Sequence, residues 1–421
     1  MQLLIRQAKV IDPGSGFHNK TVDILIKNGK IVSIGKVDAD ADKVIEAEDM
    51  YVSPGWVDIL ADYREPGYEQ KETIATGLAA AAAGGFTGVM LAPNTSPSIS
   101  TKSIVEFVTS KAAGNVVTLH PLGSASAEID GKVLAEMLDM RTHGAVAFTD
   151  GWKPIQSANL MLKALEYIKA FDGVLIQIPV EGSLSAGGLM HEGIISTRLG
   201  MAGITEMAET LIIHRDIALL RYTGSKLHIS GVSSAAGVEM IRKAKTEGLN
   251  ITCSVTPYHL ALNDEALTSY SSLYKVTPPL RSEEDREALI AALADGTIDC
   301  ITSHHRPQEW DSKEKEFEYA GDGMNVQEMA YNIALTAIGK QVKYERLVDA
   351  LSTKPRQIFN LPDAKIAEGA VANLTLFTNK GKRSYGNKDI KSLSKNNPFL
   401  GKELNGGVIG IINNNKLHLN K

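Results

Sequence analysis

Two cysteines in 421 residues are too few for a disulfide frame, and both, Cys253 and Cys300, sit inside apolar runs. They read as buried free thiols of a reducing compartment, so a cytoplasmic location is expected. No apolar run reaches the length of a membrane span. The stretch Met1 to Gln7 lacks the charged, apolar and cleavable parts of a signal peptide. Neither sign of charge dominates: 44 Lys and Arg stand against 49 Asp and Glu, for a net charge of −5. That excludes the basic field needed for nucleic acid or an anionic membrane. No Ser-His-Asp or Cys-His set is readable, and Ser233-Ser234 carries no nucleophile signature. No glycine-rich phosphate turn follows the first strand of the middle region, which weighs against a doubly wound nucleotide-binding sheet. Gly84-Gly85, Gly187-Gly188 and Gly406-Gly407 read as turns.

What is present is ordinary for a globular chain with ample core: 43% hydrophobic and 22% charged residues. The chain begins with strand-like alternation at Leu3 to Val10, Thr21 to Lys27 and Lys30 to Ile34, with Asn28-Gly29 as a hairpin turn. It ends in the same style at Val371 to Phe377, Gly406 to Asn413 and Lys416 to Leu419. The middle marks eight apolar runs: Trp56–Leu60, Gly88–Ala92, Val116–Leu122, Ala145–Thr149, Gly173–Pro179, Lys226–Ile229, Asn250–Val255 and Thr297–Thr302. Helical patterns separate most of them, at Glu72 to Ala83, Ser157 to Phe171, Gly237 to Glu247 and Glu283 to Ala294. The expected fold is therefore α/β, a parallel (β/α)8 barrel over 54–364. A small β-sandwich is expected from both termini, 1–53 and 365–421. In such a barrel, chemistry belongs at the C-terminal strand ends.

At the first of those ends stands Asp58-Ile59-Leu60-Ala61-Asp62-Tyr63-Arg64-Glu65-Pro66-Gly67, which resembles the dihydroorotase motif D-x-H-x-H-x-R-E-P-G. Further matches are Lys71-Glu72-Thr73, Ala80 to Thr87, Pro93-Asn94-Thr95, Val255-Thr256-Pro257, Lys275-Val276 with Pro278-Pro279-Leu280-Arg281, Asp295 to Asp299, and Pro398-Phe399 with Gly401. Together they cover nearly the whole chain and identify a resemblance to the longer bacterial dihydroorotases of the amidohydrolase superfamily. The resemblance implies reversible ring closure of carbamoyl aspartate, with zinc ions activating a water and a carboxylate on the eighth strand moving the proton.

Where the resemblance places metal ligands, this chain has few donors. The two motif histidines are Leu60 and Asp62, and the ligand histidines of strands five and six fall on Ile178 and Gly231. His304 stands where the catalytic aspartate belongs, in Thr302-Ser303-His304-His305-Arg306-Pro307-Gln308, the counterpart of T-D-H-A-P-H. Of the metal and catalytic set, Asp150 alone is unchanged. Leucine, isoleucine and glycine side chains offer a metal no electron pair. Zinc is thus not expected, with Asp62, Asp150 and His304 left as candidates for a lone metal, and Asp150 and His304 as catalytic remnants. On the substrate side, Arg64 and Asn94 match the family's carboxylate-binding pair. Thr277, Tyr258 and Gln308 replace other family residues, and His259 remains.

Structural alternatives stand beside each of these. Arg64 can pair with a local acid, Glu65 or Glu69, and Asp62 and Asp150 can hydrogen-bond backbone. His304 and His305 are expected to point to opposite faces, one toward the barrel and one toward the helices. His120 and His228 read as satisfied core histidines, and His191 as a surface residue. Glu309 to Glu318 and Lys380 to Lys395 read as solvated, mobile loops. The functional expectation is a dihydroorotase-like protein of pyrimidine biosynthesis that has lost catalysis. The resemblance also implies a partner, because some bacteria use an inactive dihydroorotase-like chain to assemble aspartate carbamoyltransferase. A homodimer or hetero-oligomer follows, without nucleic acid or membrane. Two other readings stay open: an active cyclic amidohydrolase with a remodelled mononuclear or metal-free site, and a metal-free small-molecule sensor using Arg64 and Asn94.

Overall fold

The computed structural model describes residues 2–420. Each of the eight apolar runs becomes a strand: Trp56–Ala61, Phe86–Leu91, Thr118–Gly123, Ala147–Phe148, Leu175–Gln177, Leu227–Ser230, Ile251–Val255 and Cys300–Ile301. They hydrogen-bond in sequence order as one eight-stranded sheet, every neighbour pair parallel. Parallel neighbours joined by helical crossovers curl until the last strand meets the first. Here the seam runs through a bridge between Ala61 and His305 and the bond from Asp62 N to His305 O, 2.9 Å. Asp58, the first residue of the resemblance motif, lies wholly buried on that seam. Its carboxylate accepts from Ser303 N at 2.9 Å and from Gln327 Nε2 at 2.7 Å.

The helices start where local chemistry provides a cap. Thr73 accepts from Thr76 N ahead of Ile74–Ala83, Ser234 from Gly237 N ahead of Ala235–Thr246, and Ser282 from Asp285 N ahead of Glu283–Asp295. Gly84 and Gly296 stand at the far ends of the first and last of these.

The two ends of the chain build one sheet together. Leu374–Ser384 pairs with Glu403–Asn413 on one side and Tyr51–Pro54 on the other, and the N-terminal hairpin turns at Asn28-Gly29. This sheet is pinned beneath the barrel by polar bonds. Trp56 N donates to Thr375 Oγ1 at 3.2 Å, and Asn413 Nδ2 donates to Thr87 O and Val116 O at 3.1 and 2.9 Å.

Two stretches expected as mobile loops are anchored instead. In 309–318, Phe317 is buried, and Lys313, on the short helix Trp310–Lys313, donates to Gly321 O at 2.7 Å. Burial holds the Lys313 ammonium down to about 7. Lys380 to Lys395 begins inside a strand, and its Ser392 is 1% exposed and donates to Glu72. Glu72 lies 320 residues from Ser392 in sequence, so a polar composition alone could not reveal that anchor.

Candidate functional site at the barrel mouth

The residues singled out by the resemblance do gather at the C-terminal ends of the strands. Leu60 and Asp62 close the first strand, Asp150 follows the fourth, Ile178 the fifth, Gly231 the sixth and His304 the eighth. There each of them makes contacts within the fold. Leu60 and Ile178 belong to an apolar cluster with Val57, Ile59, Met90 and Leu122. Gly231 adopts a left-handed backbone, φ +78°, and a Cβ built on it would lie 2.5 Å from His304 Cε1. The space that a side chain at position 231 would occupy is therefore filled by the His304 ring.

His304 is held by a chain of hydrogen bonds along the barrel interior. Thr252 Oγ1 lies 2.9 Å from His228 Nδ1, and His228 Nε2 lies 3.0 Å from Ser254 Oγ. Ser254 Oγ donates to Ser230 Oγ at 3.3 Å, and Ser230 Oγ lies 2.9 Å from His304 Nε2. Ser230 Oγ, with one proton and two lone pairs, can either donate to or accept from that ring nitrogen. Burial pushes both imidazoles down to about 3, so both are neutral. His304 meets the Trp152 ring edge-on at 5.1 Å, and the Arg306 guanidinium lies 4.7 Å over the same ring.

His304 and His305 diverge, as expected, but not by strand alternation. The strand ends at Ile301, and His304 itself has φ 44°. His305 turns toward Glu72, 3.3 Å away, and meets the Tyr63 ring edge-on. Burial works to raise the Glu72 carboxyl, but bonds from His305, Ser392 and Thr76 hold it below the usual range.

The candidate metal ligands are engaged elsewhere. Asp150 accepts from Ala125 N at 3.0 Å and from Ser126 N and Oγ at 2.9 and 2.5 Å. Its burial raises the carboxyl and those bonds pull against the rise. Asp62 accepts from Arg64 N at 3.2 Å and pairs with the Arg64 guanidinium at 3.1 Å. The local acid beside Arg64 is thus Asp62, in place of the expected Glu65 or Glu69. Glu65 instead accepts from Ile74 N. Asn94 is also committed: its amide donates to Asp150 O at 3.0 Å and accepts from Trp152 N at 3.1 Å. Among the described residues, no three His, Cys, Asp or Glu side chains form a group able to hold a metal ion. Asp62, Asp150 and His304 are therefore not brought together as one such group in this structure. A zinc centre does not fit the residues present here, since apolar side chains and hydrogen-bonded carboxylates stand where free donors are needed.

Two cavities open beside these residues. One of about 550 Å³ is lined by Trp152, Lys153, Gln156, Ile178, Thr277 and Arg306, among others. One of about 200 Å³ contains Arg64 and Asn94 and shares Trp152, Lys153 and Arg306 with the first. Asp322 pairs with Arg306, and the guanidinium and neighbouring bonds hold its carboxyl low against burial. His191, expected at the surface, is half-buried with Nδ1 3.3 Å from Arg281 Nη1. Arg281 in turn pairs with the buried Glu209 at 3.3 Å.

Comparison with known proteins agrees with the fold and with the sequence resemblance. A family model described as dihydro-orotase-like matches residues 50–236. A dihydroorotase from Syntrophus aciditrophicus is 40% identical over 416 residues, 97% of each chain. One from Caldanaerobacter subterraneus is 40% identical over 412 residues, 97% of this chain and 95% of the relative. The chain belongs to the dihydroorotase family. Solved structures share the fold of this dihydroorotase family member. The L-hydantoinase of Arthrobacter aurescens superposes with a TM-score of 0.88 at 23% identity, covering 100% of this chain and 96% of that one. The dihydropyrimidinase of Brevibacillus agri gives 0.84 at 23% identity, covering 100% and 95%.

Within the family frame, two features of the mouth escaped the sequence reading. Arg306 stands at the alanine of T-D-H-A-P-H, and a long cation replacing a small residue was the available signal. The hydrogen-bonded run from Thr252 to His304 had none, because its members come from two strands and the loop after the eighth.

Proposed function

We propose that this dihydroorotase family member does not catalyse ring closure and serves as a structural subunit in pyrimidine biosynthesis, assembled with aspartate carbamoyltransferase. The observation that carries the reading is the filled ligand site: Leu60 and Ile178 sit in an apolar cluster, and His304 packs into the space beside Gly231. Without free donors from several strands, the pocket has no means to hold an ion that lowers the pKa of a bound water. His304, neutral and tied to Ser230, does not replace the family's proton-moving carboxylate. Retention of the whole barrel and its terminal sheet at 40% identity to dihydroorotases supports selection on the body of the molecule in place of its reaction.

The test is co-expression of the full chain with the aspartate carbamoyltransferase of the same organism. It is followed by co-purification, elemental analysis and a dihydroorotate hydrolysis assay. A stoichiometric complex without ring opening is the expected result. Failure to associate sinks the assembly role. Turnover that disappears in Asp150→Ala would instead make the chain an amidohydrolase with a rebuilt site.

A further inference from the structure

The barrel helix Met207–Thr223 is apolar on both sides. Its inner side, with Ile212, Ile213 and Leu220, is buried against the helices Ala158–Lys169 and Ala235–Thr246. A helix with one side in water carries polar residues there, and one that is apolar all round is covered all round. The outer line of this helix reads Met207, Leu211, His214, Ala218 and Tyr222. Spacings of three and four residues place them on one side, as a seam about 22 Å long. All five are exposed, Met207 at 55% and Tyr222 at 78%. The patch widens at the first turn. His191 pairs with Ile204 in a short parallel ladder, and the exposed Ile194 and Met207 each follow three residues on. An exposed apolar run of this extent, rich in Met and Tyr, marks a contact surface.

The charges at the two ends of the seam select the occupant. Glu206 precedes the first turn and Arg221 stands in the last, about four turns away. Arg221 meets Glu247 at 2.6 Å through Nε and Nη2, with both side chains about half exposed. Such a surface pair holds little energy, and Nη1 remains for another acceptor. Laid antiparallel on itself about a two-fold axis at His214, the helix brings Glu206 of one copy beside Arg221 of the other. Symmetry repeats that pairing at the opposite end. The same operation sets the bulky Leu211 against the small Ala218, and Met207 against the Tyr222 ring, a favourable sulfur–aromatic contact. A parallel pairing would instead set like charges together at each end. Arg215, next to the axis, is already engaged by Asp216 at 2.7 Å and by the carbonyls of Ile155 and Gln156.

We infer that the outer face of the helix Met207–Thr223 is a two-fold interface between two copies of this chain, the helices crossing antiparallel at His214. The face lies on the outer wall of the barrel. It depends neither on the loss of zinc nor on the assembly role proposed above, so failure of either leaves it standing.

The test is sedimentation velocity of the full chain alone, from about 1 to about 100 μM, with thermal melting by circular dichroism as the check on folding. A mass of twice the 45.3 kDa of one chain is expected. Leu211→Glu, at an exposed position, weakens the dimer at least about tenfold and leaves the melt unchanged. Glu206→Lys and Arg221→Glu each weaken association, and the two together recover it, because the exchanged charges meet again across the axis. His214→Cys, in a chain whose own cysteines are buried, oxidises to a disulfide-linked dimer. Tyr222→Cys does not, since its two copies lie roughly 24 Å apart along the paired helices. A single-chain mass at every concentration, or an oligomer of any size that Leu211→Glu leaves intact, would overturn the inference. So would charge reversals whose combination fails to recover association. A chain that is monomeric alone and covers this face only when aspartate carbamoyltransferase is added would overturn it too.

Discussion

Gly231 carries a ligand position in the family resemblance and a packing role here. Its φ of +78° and the His304 ring beside it leave no room for a Cβ. Gly231→Ala should lower stability by about 2 kcal/mol, read as a shift of the urea midpoint with unchanged slope. The buried histidines set the response to acid. His228 and His304 are held near 3 by burial, while the unfolded chain titrates at about 6.5. Above that value both states are neutral and the groups contribute nothing to pH dependence. Below it the unfolded chain takes up protons that the native state refuses, so stability falls as pH drops toward 3. Chemical denaturation should therefore show a lower midpoint at about pH 5 than at about pH 7.5. His304→Gln should flatten that dependence.

At the scale of elements, the regular pieces were legible and the irregular ones were not. Strand runs such as Ile251–Val255, and helices such as Glu283–Asp295 with its Ser282 cap, announce themselves through apolar spacing and a local capping residue. The segment around Ser392 carries no such pattern. It is ordered by Glu72, which also engages His305 and the amide of Leu393 at 3.1 Å. A buried carboxylate joining a loop, a helix start and the barrel seam is worth more than a surface pair. Glu72→Ala should cost about 3 kcal/mol and make 386–397 the first region cut by limited proteolysis.

For the whole molecule, the decisive matter is whether the scaffold or only the side chains departed from the active pattern. The eight strands, their order and the seam at Asp58 are intact. Restoring Leu60→His, Asp62→His, Ile178→His and Gly231→His together with His304→Asp should give zinc uptake by elemental analysis. Gly231→His with His304 left in place should take up none, because the two rings claim one volume. Failure of the full set to bind zinc would mean that the backbone of the mouth has shifted as well. No helix among the described residues is long and apolar enough to cross a membrane.

Residue order alone was enough for the barrel, the shared terminal sheet, the family and the missing donors at Leu60, Ile178 and Gly231. Each of these is carried by local periodicity or by a motif contiguous along the chain. Only the folded molecule could decide that Arg64 turns to Asp62, that Asp150 caps Ala125 and Ser126, and that His304 fills the space beside Gly231. Hydrogen bonds and steric exclusion act over a few ångströms between strands far apart in sequence, and no pattern along one strand records which neighbour will stand across the barrel.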